Sequence, residues 1–434
     1  MSKILFLQNF NRELYGIMSL YSYLKNKHTC FVSINSYLKD IKKFSPDIIG
    51  LYVTTKDQKW LFDITKKIKN YTNLPIIVGG PHPTHYPDLI NSPNIDMVCV
   101  GEGEKPLLNL LDKIDKKQCK SDILSLWVKE KNTIFKNKPD TLLNDYEIPK
   151  ADIRIYERYK HIIKRKALSV STSRGCTYKC SFCANYSTSF NPRIRPAESI
   201  ISEILYNSKY KKVNFIEFHD EIFGFNKNYI FNFLKLYKEK INIPFYCLLR
   251  FEFINEELVV ALKESGCVLV GLGLETGNEK IRNKILGKKL TNSQIIKAAG
   301  ILNKLEMKFH TFNMFCLPNE TLKEAYETLN LNLQIKPTYT FSSVFQPYPG
   351  TKFFKEAKNK VINTNFNRFT VNFSYTSDFL KIYRIQKLFV FVVKFPRLKY
   401  FLPFLINLPF DKLYDSLCRL SWYFTHGRKT FKGV

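Results

Sequence analysis

The chain has 434 residues, with 67 Lys and Arg against 38 Asp and Glu, a formal charge of +29 at pH 7. Hydrophobic residues make up 45% and aromatics 15%, which excludes a disordered basic tail and is enough to build cores in two or three domains. The 17 Gly and 19 Pro exclude collagen-like and low-complexity sequence. The basic excess is spread along the chain, so it either favours anionic partners or is simply a Lys-rich composition.

The first ~130 residues alternate short apolar runs with amphipathic stretches. Strands are expected at Lys3–Gln8, Cys30–Ile34, Asp47–Val53, Pro75–Val78 and Asp96–Val100, with helices at Tyr15–Lys27, Trp60–Tyr71 and from Gly101-Glu102-Gly103-Glu104 to about Ile114. This period predicts a doubly wound parallel sheet, with ligands beyond the carboxyl ends of the strands. Gly79-Gly80 and Gly101–Glu104 lie at such ends. Residues 131–165 are polar and Lys-rich and read as a linker with a small hairpin. A second series, 166–350, has strands expected at Leu168–Thr172, Val213–His219, Pro244–Leu249, Val268–Leu274, Phe309–Phe315 and Thr340–Gln346, with helices between them. Six β-α units predict an open, partial (β/α)6 barrel.

Residues 351–434 form a basic, aromatic C-terminal extension. The segment 381–434 holds eleven Lys and Arg and two Asp and Glu, with Phe, Leu, Tyr and Trp among them. Pro396 and Pro403 interrupt it, and no run approaches the ~20 apolar residues that span a bilayer. Such a segment covers the open side of the barrel, packs between domains, or lies at a membrane interface.

MSKILFLQNF has no signal-peptide core of adequate length, so a cytoplasmic protein is expected, with a peripheral contact at the inner membrane face through 381–434 as a further expectation. Ten cysteines in a reducing compartment do not read as a disulfide framework. Seven are scattered (Cys30, Cys99, Cys119, Cys247, Cys267, Cys316 and Cys418) and read as small hydrophobes. The other three form Cys176-x3-Cys180-x2-Cys183, directly after the first strand of the second series. Three thiolates on one loop hold three corners of a [4Fe-4S] cube and leave one iron open for a substrate. A structural zinc would need a fourth Cys or His nearby, and the nearest downstream His is His219.

Cys176-x3-Cys180-x-Phe182-Cys183 resembles the signature of the radical S-adenosylmethionine (SAM) superfamily, whose core is a partial β/α barrel. Phe218-His219-Asp220-Glu221-x-Phe223, Arg250 and Gly271-x-Gly273-x-Glu275-Thr276 fall at later strand ends and resemble segments of one large branch. The resemblance implies reductive cleavage of SAM at the cluster. It implies that Asp220 and Glu221 meet the SAM amino group, Phe182 the adenine, and Glu275 and Arg250 the rest of SAM. Read as residues alone, Asp220-Glu221 equally suit a helix cap and Glu275 a barrel ion pair.

The first series is similar to the cobalamin-binding domain that precedes this core in the same branch. Ile76–Thr84, with Gly79-Gly80, and Asp96–Glu104 carry the likeness. The D-x-H-x-x-G element of His-ligated cobalamin domains is replaced by Gln8–Glu13, so cobalamin is expected without a His ligand from that motif. His82 and His85 read as turn or surface residues. The likeness implies methylation, or a cyclisation or other modification, of an unactivated carbon, and the aromatic C-terminal segment points to a hydrophobic, natural-product-type or lipid-linked small molecule as the substrate. An external electron donor such as flavodoxin or ferredoxin is implied, and no nucleic acid. Two other functions were weighed. A tRNA-modifying methylthiotransferase needs a second cluster on N-terminal cysteines, and only Cys30, Cys99 and Cys119 are present there. A non-catalytic iron–sulfur sensor or electron-transfer protein has no need of the SAM segments.

Overall fold

The computed structural model describes residues 1–186, 192–357 and 378–426. Residues 358–377 and 427–434, assigned above to the C-terminal extension, lie outside the described residues. The first strands are β1 (Lys3–Leu7), β2 (Thr29–Ser33), β3 (Ile48–Tyr52), β4 (Ile76–Gly79), β5 (Met97–Cys99), β6 (Leu126–Glu130) and β7 (Thr133–Lys136). They form one sheet in the order β2-β1-β3-β4-β5-β6-β7. After β8 (Ala167–Val170) and the short β9 (Ser173–Arg174) and β10 (Arg193–Ile194) come β11 (Phe215–Phe218), β12 (Phe245–Leu249), β13 (Cys267–Glu275), β14 (Phe309–Phe315) and β15 (Tyr339–Val344). The second large sheet runs β8-β11-β12-β13-β14-β15 and does not close, so the open six-stranded arrangement agrees with the expectation. By contacts the chain divides into two compact units, residues 1–170 with 193–212 and residues 171–192 with 213–434.

In the first unit β1 to β5 are parallel, and β1 pairs with both β2 and β3. Ile4 and Phe6 enter one apolar core and Leu5 and Leu7 another. A strand whose alternate residues are all buried is covered on both faces, as the doubly wound reading requires. The hairpin of β6 and β7 extends the sheet in the antiparallel sense. The stretch read as a linker is not loose. Ala151, Ile153, Ile155, Tyr156 and Ile162 are buried in the first core. Helix Ala197–Ser208 secures the start of this stretch. Glu203 Oε2 accepts from Ala151 N–H at 2.7 Å, and Asn207 accepts from Ile153 N–H and donates to Ala151 O, each at 2.8 Å. Composition alone hid this because the apolar residues there lack a regular period.

In the second unit β11 to β15 are parallel. The helix at Leu322–Ile335, introduced by the Thr321–Glu324 capping box, covers β14 from one side. Helix Phe379–Lys394 packs on that same side, with Ile382, Ile385 and Phe389 against Phe315, Leu329 and Val344. The extension therefore thickens the outer helical layer. On the other face Tyr246, His310, Phe312 and Phe341 stay partly exposed. Among the described residues no helix is long and apolar enough to cross a membrane.

Replacing Asn207 by Leu leaves the Ile153 N–H and Ala151 C=O buried without a partner. Urea unfolding should show a loss of about 2–4 kcal/mol. A loss under about 0.5 kcal/mol, the range of neutral surface changes, would contradict this role.

Candidate active site at the cysteine loop

The backbone leaving β8 is held by a buried carboxylate. Asp220, just past the end of β11, accepts from Thr172 N–H at 2.9 Å, Thr172 Oγ1 at 2.7 Å and Ser173 Oγ at 2.6 Å. Asp220 is fully buried, and burial raises its pKa against the pull of those donors. In this structure the Asp220 carboxylate is engaged with the backbone and hydroxyls that launch the cysteine loop. Glu221 is the acid that remains. It is solvent-accessible yet recessed enough that desolvation raises its carboxyl above the usual range, and Gly175 N–H donates to it.

The cysteine loop is pinned at its centre. Ser181 N–H donates to Leu286 O at 2.9 Å, and Lys352 N–H donates to Ser181 O at 3.1 Å. Gly287, at φ +67, lies against this point: a Cβ there would stand 3.3 Å from Ser181 Oγ. Phe182 packs against the cluster containing Ile281, Leu286 and Phe345. Cys180 is buried, while Cys176 and Cys183 are half-buried. Burial raises the Cys176 thiol and pushes Cys183 up to about 11, so metal binding there must displace protons. Three thiols on one short loop, without a fourth, fit a cube whose irons each take a separate thiolate.

Arg250, at the end of β12, sits beside these thiols. Its guanidinium lies 3.7 Å from the Tyr178 ring centroid, and Nη1 is 3.8 Å from Cys180 Sγ. Nη2 donates to Lys288 O at 2.8 Å, and Nε donates to Glu252 Oε1 at 3.0 Å. Lys288 Nζ in turn donates to Glu275 Oε1 at 2.8 Å and to Gly273 O at 2.5 Å. Glu275 has φ +69 and follows a register shift between β13 and β14, a bulge that re-aims the side chain at the strand end. Arg250 thus lies at the cysteines, and Glu275 is bound to Lys288.

The Gly-x-Gly spacing has a packing cause. A Cβ on Gly271 would stand 2.4 Å from Tyr246 Oη and 2.6 Å from His310 Nε2. Those two groups form a 2.9 Å hydrogen bond across β13. A Cβ on Gly273 would stand 2.3 Å from Glu275 Oε1 and 2.5 Å from Lys288 Nζ. The motif's glycines therefore make room for two polar side-chain pairs. Lys288, Tyr178, Tyr246 and His310 were missed in the sequence. The glycine spacing was the signal that could have found the two pairs.

In the first unit the carboxyl edge of the sheet offers the cobalamin-type site. The strand order reverses between β2-β1 and β3-β4, which places the crevice there. Gln8 closes the β1 loop on itself, with Nε2 donating to Phe10 O at 2.6 Å and Arg12 O at 2.8 Å, while Tyr156 Oη donates to Gln8 Oε1 at 2.6 Å. This loop supplies no imidazole. Gly80 has φ +108, and a Cβ would stand 2.9 Å from Val53 O, so its need is backbone packing on β3. Gly79 makes only an ordinary contact with Cys99. Past β5, Gly101 has φ +95 with open space where a Cβ would stand, room that suits close approach of a flat ligand. His82 is not a surface residue. It is buried, its Nδ1 lies 3.2 Å from Thr55 Oγ1, and desolvation lowers its pKa to about 4. In the Gly-Glu-Gly-Glu turn, Glu102 pairs with Arg193, and Glu104 accepts from Ser19 Oγ at 2.9 Å. Cys30 on β2 and Cys99 on β5 are separated by three strands, roughly 19 Å at ordinary strand spacing, too far to share a second cluster.

Replacing Lys288 by Met strands Glu275 in a buried position. Denaturant unfolding of the anaerobically prepared chain should show a loss of about 3–5 kcal/mol, mostly recovered when Glu275→Leu is added. A neutral single substitution would contradict the pairing.

A radical SAM superfamily model matches residues 170–331, and a B12-binding-domain model matches residues 23–111. The uncharacterized methyltransferase PH0819 of Pyrococcus horikoshii is 30% identical over 352 residues, 78% of this chain and 76% of that protein. The anaerobic magnesium-protoporphyrin IX monomethyl ester cyclase of Rubrivivax gelatinosus is 25% identical over 345 residues, 76% of this chain and 61% of that protein. Among solved structures, the radical SAM methyltransferase TsrM from Kitasatospora setae, with cobalamin and a [4Fe-4S] cluster bound, superimposes with a TM-score of 0.70. The match is at 16% identity over 83% of this chain and 75% of that one, a likeness of fold. With a radical SAM core behind a B12-binding domain, the chain belongs to the B12-binding-domain branch of the radical SAM superfamily.

Proposed function

We propose that Cys176, Cys180 and Cys183 hold the [4Fe-4S] cluster and that the chain transfers a methyl group to an unactivated carbon of a hydrophobic small molecule. The observation that carries this reading is the thiol triad fixed on one loop, with the accessible Glu221 beside it. When bound, the cluster, SAM and cobalamin supply reductive cleavage of SAM and a transferable methyl group. The chain's own residues position and shield that chemistry. Asp220 fixes where the loop begins, and the Ser181 contacts fix its centre. Arg250 places a permanent cation 3.8 Å from Cys180 Sγ, where it would face the negative charge of a thiolate-held cluster. Glu221 offers an anionic partner for the ammonium of SAM, and Phe182 a ring for its adenine. Glu275 keeps one carboxylate oxygen on Lys288 and presents the other at the strand end.

The open face of the second sheet supports a hydrophobic substrate. Tyr246, Phe312 and Phe341 are partly exposed there, and the His310 ring lies 4.5 Å from that of Phe312. The Tyr246–His310 pair gives that aromatic surface a polar point for orientation. Lipid-linked and natural-product-type molecules have this chemistry. Electrons come from an external one-electron donor such as flavodoxin or ferredoxin. In the first unit, the carboxyl edge at Gly79, Gly80 and Gly101 would receive cobalamin without an imidazole from the β1 loop.

Replacing Cys176, Cys180 or Cys183 singly by Ala should reduce 5′-deoxyadenosine formation from SAM under dithionite to the background of iron-free chain. Cys418→Ala, at a buried position on helix Asp411–His426, should retain it. A triad variant that forms 5′-deoxyadenosine at the parent rate would overturn the assignment.

A further inference from the structure

The C-terminal helical layer ends in a surface that the catalytic reading does not use. Leu402 and Ile406, four residues apart, are buried in the core made by helix Phe379–Lys394 and β15. They anchor two short helical turns, Pro396–Tyr400 and Leu402–Leu405, each with Pro in its first turn. With these anchors turned inward, the residues between and before them face out. Tyr400 is 83% exposed, Phe404 67%, Phe401 61% and Phe395 53%. Four large aromatics within ten residues far exceed the single exposed apolar residues common on a soluble surface.

The charges around this stretch are of one sign. Lys394, Arg397 and Lys399 are interleaved with the aromatics, and Lys412 and Arg419 follow on the next helix. The two acids of the region are engaged with cations of helix Phe379–Lys394. Asp411 accepts from Arg384 at 2.8 Å, and Asp415 pairs with Lys387 at 2.9 Å. Internal pairing removes the acids from the outward field and leaves a basic aromatic surface. Bulk apolar contact alone would suit many partners. Aromatic rings held outward on Pro-started turns, between cations, match the boundary of a bilayer, where rings enter the headgroup layer and cations meet anionic headgroups.

We propose that residues 394–404 dock the chain on an anionic lipid bilayer, with Phe395, Tyr400, Phe401 and Phe404 entering the interface and Arg397 and Lys399 meeting the headgroups. Docking brings the chain to the phase where hydrophobic molecules reside. It does not depend on the assignment of the cluster or of the methyl transfer.

The test is co-sedimentation of the full chain with phosphatidylcholine vesicles, with and without about one-third phosphatidylglycerol, at low and high salt. The expected result is at least ~10-fold more bound chain on the anionic vesicles at low salt, weakened by high salt. Phe401→Asp with Phe404→Asp should reduce binding to the level on neutral vesicles, and Arg397→Glu with Lys399→Glu should abolish the preference for anionic lipid. Phe401, Phe404 and Arg397 are exposed and Lys399 is partly exposed, so circular dichroism should be unchanged. Absent binding, or equal binding by the Phe401→Asp/Phe404→Asp variant, would overturn the proposal. A parent chain that ignores vesicles but self-associates through these rings in sedimentation velocity would overturn it in favour of a second copy of the chain.

Discussion

The cysteine end of the second unit depends on two missing side chains in the central strand. Gly271 and Gly273 leave room on β13 for the Tyr246–His310 hydrogen bond and the Lys288–Glu275 ion pair to lie directly on the backbone. A buried Lys–Glu pair contributes little net stability against its desolvation, yet breaking it is costly. Its value here is geometric. Lys288 is tied through its carbonyl to Arg250, and Arg250 lies on Tyr178 beside Cys180. A chain of contacts thus runs from the strand end to the cysteine loop, and displacing one member strains the next.

The acids at the strand ends divide their work by solvent access. Asp220 is buried among three donors and fixes the backbone that leaves β8. Glu221, one residue later, keeps contact with solvent. The first unit shows the same economy. Gly80 serves the packing of β4 on β3, Gln8 closes the β1 loop, and open space remains beside Gly101.

Much of this was legible in the sequence because it depends on local pattern. Alternating apolar runs located the strands of both sheets within a few residues, and the C-x3-C-x2-C spacing marked the loop that follows β8. What escaped depends on pairing across long separations. Nothing near Glu275 announces Lys288 as its partner, and nothing near Asp220 announces Thr172 and Ser173. Residues 131–165 read as a linker because their apolar residues after position 142 pack singly, without a helical or strand period. The C-terminal segment read as a cover for the barrel, a packing element or a membrane contact, and its long helix joins the outer layer beside Leu322–Ile335. The inward turn of Leu402 and Ile406, which throws the aromatics outward, could not be seen without that packing.

The formal charge of +29 acquires one specific location in this account, the basic aromatic surface of the C-terminal layer. The proposed chemistry is placed on Cys176, Cys180 and Cys183, with the Arg250 guanidinium beside Cys180. The most direct measurement is metal analysis with electron paramagnetic resonance of the anaerobically reconstituted chain. The account predicts about four irons per chain in a reducible cubane whose signal changes when SAM is added, with cobalt retained as cobalamin. Iron-free chain after reconstitution, or a cluster retained when Cys176, Cys180 and Cys183 are all replaced, would contradict it.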